Sequence, residues 1–205
     1  MAASLLLAYP DDATVGAAHA VRSAVGQLPP PVAERLTGLA TTLVDGDPSA
    51  LQRAYVTTFD LKRRCTLYLS YYAAGDTRRR GTALLRFAEA YHAVGWEVTG
   101  SELPDHLGSV LELSARADSD GARIVGALLT AHREGIEVLR TALAAEGSPW
   151  VAAVEAVCLT LPPVDARTLD RVAALVAEGP PVEMVGLSDL PGFGANDGEK
   201  GAPWT

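Results

Sequence analysis

Runs of proline punctuate this chain, and between them apolar residues recur at helical spacing. Leu28-Pro29-Pro30-Pro31, Leu161-Pro162-Pro163 and Gly179-Pro180-Pro181 cannot lie inside helices, because proline lacks an amide proton and its ring collides with the preceding turn. The segments they bound show no alternating strand pattern and no internal repeat. Alanine and leucine abound and aromatics make up only 6%, which favours helix over sheet. The 205 residues suffice for one sizeable core. The prediction is an all-α, single-domain bundle of about eight or nine helices.

The chain order follows from the same signals. A short first helix over residues 3–9 stops at Tyr9-Pro10. Asp11-Asp12 can cap a second over 13–27, with Val15, Ala18, Val21 and Val25 inward. Pro31 suits the first turn of a third over 32–44, with Val32, Leu36, Leu39, Ala40 and Leu43 inward. Another begins near Pro48 or Ser49. Thr57-Thr58-Phe59-Asp60 has the form of a capping box and predicts a helix on to Ala73, with Leu61, Cys65, Tyr68 and Tyr72 on one face. Gly75 fits a helix end and Asp76 a new start, so an αα-hairpin turns over Gly75, Asp76 and Gly81. Its second arm reaches Val94, with Leu84, Leu85, Ala88, Tyr91 and His92 facing the partner. Glu102-Leu103-Pro104-Asp105 then opens a helix, Pro104 in its first turn. Residues 119–145, 149–159 and 165–178 complete the set. The domain runs over 1–185, and 186–205, rich in Gly, Pro and Asp, is predicted to be a mobile tail.

Charge is unevenly spread. The net charge is −8, yet residues 53–80 hold seven basic side chains against two acidic ones, a balance of +5 that leaves −13 elsewhere. That body opposes binding to nucleic acid. Arg78, Arg79 and Arg80 stand at a helix start, where the dipole disfavours cations. One or two are therefore expected to pair internally, and the others to face solvent or a partner.

Catalytic signatures are missing. There is no phosphate loop, no GxGxxG turn, no HExxH and no GxSxG. Cys65 and Cys158, the two cysteines, have no metal-ligand spacing and read as buried thiols. None of the four histidines is paired for a metal. His106 has the best functional case, at a helix start beside Asp105. Asp105 and Glu112 would lie about 10 Å apart on one helix face, too far for a hydrogen-bonded dyad. With Ser109 they form either a plain solvated face or an acidic strip for a basic peptide. The start MAASLLLAYPDD has no basic n-region, and no apolar run approaches the ~20 residues that span a bilayer. The chain is predicted to be cytoplasmic, without membrane insertion.

Three ordered motifs carry a resemblance: Tyr55-Val56-Thr57-Thr58-Phe59-Asp60, Gly75-Asp76-Thr77-Arg78-Arg79-Arg80-Gly81 and Glu102-Leu103-Pro104-Asp105-His106-Leu107. With Ala8-Tyr9-Pro10 and Leu111-Glu112 they closely resemble the NarJ-type chaperones, the molybdenum-cofactor assembly factors or delta subunits of respiratory nitrate reductase, within the TorD/DmsD-like group. The resemblance covers residues 4–116 well and extends more weakly to 187. It implies an all-helical bundle that is not an enzyme and binds no cofactor stably. It implies a chaperone that binds the apo catalytic (alpha) subunit, including its N-terminal peptide. That subunit would be held open until iron–sulphur clusters and the bis-guanine-dinucleotide molybdenum cofactor are inserted, before membrane docking.

For the client peptide, Glu102, Asp105, His106, Ser109 and Glu112 are the predicted contacts. Two other readings stand beside it: a related molybdoenzyme as client, or a small helical enzyme acting on an anionic metabolite. A homodimer formed by swapped elements is left open.

Overall fold

The computed structural model describes residues 1–99 and 102–181. The predicted tail, 186–205, lies outside the described residues. Among them the chain forms eleven α-helices and no strand.

Capping chemistry sets many of the boundaries. Asp11 accepts from the Thr14 amide and starts α2 (Asp12–Ala24). Pro30 and Pro31 occupy the first turn of α3 (Pro30–Asp45), as the missing amide protons allow. Asp47 caps α4 (Pro48–Tyr55), Asp118 caps α8 (Ser119–Ala131) and Asp165 caps α11 (Ala166–Glu178). The remaining helices are α1 (Ala2–Leu6), α5 (Leu69–Ala74), α6 (Arg79–Ala93), α7 (Leu107–Arg116), α9 (Arg133–Ala145) and α10 (Val151–Thr160).

All five residues predicted to point inward from α3 are buried. That helix packs between α2 and α10. α1 crosses α7, α2 and α3, while α9 packs on α5, α10 and α11. Their apolar faces merge into one core around Trp150, Phe87, Ile136 and Leu139, each fully buried. Truncating such a residue would cost about 3–5 kcal/mol.

Several boundaries differ from expectation. Thr57–Asp60 caps no helix. α4 runs on as a π-turn over Val56–Asp60, with the Leu61 amide bonding the Val56 carbonyl five residues back. A single 3-10 turn (Arg63–Cys65) and an extended Thr66 precede α5. Leu61 is therefore exposed. Glu102–Asp105 starts no helix either: α7 begins at Leu107, with His106 as its N-cap. The pattern over 119–145 breaks at His132, whose ring nitrogen Nδ1 lies 2.9 Å from the Leu128 carbonyl. α6 buries Phe87 and Tyr91, leaving Leu85 and His92 exposed. On α11 Leu169 and Ala173 are exposed and only Val172 is buried.

The α5–α6 turn matches its prediction at Gly75, whose φ is +58° with ψ −155°, a region essentially closed to side chains. A Cβ there would collide with the Pro181 carbonyl. Gly81 lies inside α6, not in the turn.

Candidate functional site: an acidic cleft over an aromatic floor

A cleft of about 450 Å³ opens between α1, the end of α4 with its π-turn, the Leu67–Tyr68 strand-like segment and the start of α7. Its floor is apolar: Leu5, Ala8, Tyr9, Tyr55, Phe59 and Leu67 line it. The rings are fixed from behind. Tyr55 packs edge-on against Tyr9 and Trp150 and tilts on Phe59, with centroids 5.5, 5.3 and 4.6 Å apart. Its hydroxyl donates to the Leu7 carbonyl at 2.9 Å. Tyr55 and Phe59 sit four residues apart, and the π-turn carries Asp60 to the cleft edge. Such turns recur at functional sites because they re-aim side chains off the regular helix surface.

Four of the five predicted client-contact residues line this cleft: Glu102, His106, Ser109 and Glu112. The fifth, Asp105, does not lie on an exposed helix face. It is fully buried. Its Oδ2 accepts from the Ser70 hydroxyl at 2.6 Å and the Ser70 amide at 3.1 Å. That carboxylate thus caps α5 from 35 residues away in sequence, while its Oδ1 has no protein partner. Two backbone bonds reinforce the junction, Leu69 N–H to the Asp105 carbonyl at 3.0 Å and Leu107 N–H to the Leu67 carbonyl at 2.8 Å. Asp105 positions the cleft wall; it does not present itself to a ligand.

The charge is of one sign. Asp60, Glu102 and Glu112 line the cleft, and no lysine or arginine does among the described residues. Tyr68 donates to Glu102 at 2.9 Å, and burial followed by that bond pushes its phenol up to about 12. Glu112 pairs with Arg116 at 2.7 Å, both half-exposed, and the Arg116 guanidinium lies over the Trp96 ring at 6.0 Å. His106 sits edge-on to Tyr68 at 5.5 Å. Burial lowers its pKa from 6.5, against the raising pull of Glu102 and then Asp105, so it is neutral at pH 7.

The basic triplet lies outside the cleft. Arg80 pairs internally: its guanidinium lies 3.4 Å from Asp76 and over the Tyr68 ring at 5.6 Å. Arg78 forms the N-cap of α6, and Arg79 opens the helix with its amide on the Thr77 hydroxyl. Both cysteines are free. Burial raises the Cys65 thiol and pushes Cys158 up to about 12, which leaves neither as a thiolate nucleophile at neutral pH. Among the described residues no His, Cys, Asp and Glu cluster could hold a metal ion, and no helix is long and apolar enough to cross a membrane.

The aromatic floor was missed as such in the sequence, although Tyr9, Tyr55 and Phe59 all fall in the motifs that carry the family resemblance. The model of the nitrate reductase delta subunit family matches residues 26–156, more than half of the chain. The chain belongs to that family.

Among curated relatives, the nitrate reductase-like protein NarX of Mycobacterium tuberculosis is 38% identical over 158 residues, 77% of this chain and 23% of that protein. The probable nitrate reductase molybdenum cofactor assembly chaperone NarJ of Bacillus subtilis is 35% identical over 127 residues, 60% of this chain and 68% of its own length. The nitrate reductase molybdenum cofactor assembly chaperone NarJ of Escherichia coli K12 is 33% identical over 116 residues, 55% and 49% respectively. The chain thus spans about a quarter of NarX and half of the E. coli protein. The family match takes in the π-turn, the buried Asp105 junction and the whole of α7.

Proposed function

We propose that this chain is an assembly chaperone, not an enzyme, for the catalytic subunit of a nitrate reductase, and that the acidic cleft binds that subunit's N-terminal peptide. Binding holds the apo subunit open for insertion of the molybdenum cofactor and the iron–sulphur clusters, in the cytoplasm, before membrane docking. The assembly role is supported by the two NarJ relatives, both molybdenum cofactor assembly chaperones by name. The observation that carries the peptide reading is the pairing of an apolar, ring-lined floor with three carboxylates and, among the described residues, no lining lysine or arginine. An amphipathic helix lays apolar side chains into such a groove, and its lysines and arginines meet Glu102, Glu112 and Asp60 at the rim. Among the described residues the same arrangement offers no lysine or arginine to an anionic small-molecule substrate.

The test is calorimetric titration of the catalytic subunit's N-terminal peptide into the chain and into a Glu102→Gln/Glu112→Gln variant. Affinity should fall roughly tenfold in the variant, about 1.4 kcal/mol, with the circular dichroism spectrum unchanged. An unchanged affinity with an intact fold would remove the cleft from the reading.

A further inference from the structure

A second hollow has the opposite polarity. It is a slot of about 370 Å³ between the 3-10 turn, α9 and α11. Its floor is aliphatic. Val138, Ala142 and Ala145 follow one another along α9 at spacings of four and three, and Val176 of α11 closes the far side. Its rim is cationic: Lys62, Arg63 and Arg64. Lys62 pairs with Glu146, the one acidic residue lining the slot. Arg63 reaches Asp76 only at 3.7 Å, with its side chain 82% exposed. Arg64 is exposed and makes no ion pair among the described residues.

We infer that this slot docks an acidic, aliphatic helical segment of the client subunit, resting on the reading that the client is a polypeptide. Three features select that occupant. Among the described residues no aromatic side chain lines the slot and its floor is aliphatic, which suits the aliphatic side chains of an occupant. The floor residues are small and recur over two turns of α9, which leaves a furrow that takes successive aliphatic side chains of a second helix at i and i+3 or i+4. The cations stand at the lip, not at the bottom, so they meet charges that flank an apolar stripe and not a single buried headgroup. Complementarity then requires carboxylates on the segment. The client would be held at two sites of opposite charge, and a segment suited to one is repelled by the other.

The experiment uses overlapping peptides of roughly 15 residues, about four helical turns, tiled over the nitrate reductase catalytic subunit. Binding to the full chain is read by fluorescence anisotropy. At least one net-negative peptide with aliphatic residues at helical spacing should bind. Arg63→Glu/Arg64→Glu should weaken it roughly tenfold, and Ala145→Phe, which narrows the slot without altering charge, should weaken it too. Glu112→Gln should leave it within about twofold. Arg63, Arg64 and Ala145 are all exposed, so both slot variants should keep the native circular dichroism. The inference is overturned if no such peptide binds, or if either slot variant leaves its affinity unchanged. If acidic peptides bind as described while the basic N-terminal peptide does not, the slot stands and the cleft assignment falls.

Discussion

The acidic cleft and the basic slot are each backed by a buried carboxylate, but the two carboxylates are satisfied differently. Asp105, behind the cleft, accepts from a backbone amide and a hydroxyl, both neutral. The raised pKa values of Tyr68 and Tyr91 come from burial first, and Asp105 adds to both. Glu137, beside the slot, holds two guanidiniums, Arg133 at 2.7 Å and Arg140 at 2.6 Å. Its charge is cancelled and exceeded. A site's sign is thus set from underneath as well as by the residues that line it, because a buried charge is screened less than an exposed one.

The largest expected effect comes from breaking the second support. Glu137 is only 6% exposed and Arg133 11%. Removing one member of a buried pair leaves the other charge uncompensated. Glu137→Gln should lose about 3 kcal/mol of unfolding free energy in urea and weaken the slot before the cleft, since Thr141 and Val138 of the slot stand on the same turn of α9. A loss below about 1 kcal/mol would mean that the triad behaves as a surface pair. Asp105→Ala should cost about 2 kcal/mol, because the Ser70 amide and hydroxyl lose their acceptor and α5 its cap. Here the order reverses: binding of the basic peptide should fail first, as Glu102 and His106 lose their anchor, while slot binding persists. Equal damage to both sites would show that the supports are not independent.

The contrast between the two supports also explains what the sequence could disclose. α3, with five inward residues at helical spacing and prolines at its start, is decided by its own residues. So are the starts of α2 and α11, capped by an Asp three residues away. The Asp105 junction is decided elsewhere. Glu102-Leu103-Pro104-Asp105 satisfies the local rules for a helix start, yet the Asp105 carboxylate serves Ser70, and no local pattern encodes a bond across 35 positions. The Thr57–Asp60 motif failed for a related reason. α4 extends through a π-turn because Phe59 has a buried place against Trp150, with centroids 5.6 Å apart, and tertiary packing overrides the cap. The break at His132 is hidden because apolar spacing continues through it. Gly135, one turn on, lets the Tyr72 ring approach α9 so closely that a Cβ would come within 2.8 Å of it. Four of the five predicted client contacts still reach the cleft, since α7 keeps Ser109 and Glu112 on the predicted face. Glu102 and His106 arrive through the loop.

Acidification should separate the two sites. The folded pKa of His106 lies below 6.5, as does that of His132, in both cases through burial. The unfolded chain therefore takes up these protons first. Stability is full above pH 6.5 and is lost as the pH falls from 6.5 through the folded values. In the cleft, a proton on His106 adds a cation beside Glu102 and Glu112, so the basic peptide should bind roughly threefold more weakly, and His106→Gln should flatten that dependence. Slot binding has no titrating histidine among its lining residues and should not change over the same range. A parallel loss at both sites in isothermal titrations between pH 7 and the start of unfolding would assign the effect to the fold.

The smallest effect is the most specific one. Arg116 does not line the cleft, but it already holds one of the cleft's carboxylates, pairing with Glu112 across one helical turn and lying over Trp96. A client arginine or lysine must compete with it. A half-exposed pair at this spacing contributes about 0.3–0.5 kcal/mol, so Arg116→Ala should tighten the basic peptide by roughly twofold. The same change should leave the slot unaffected. Weaker binding would mean that Arg116 holds Glu112 in the geometry the peptide needs. No change would place the peptide's charges on Glu102 and Asp60.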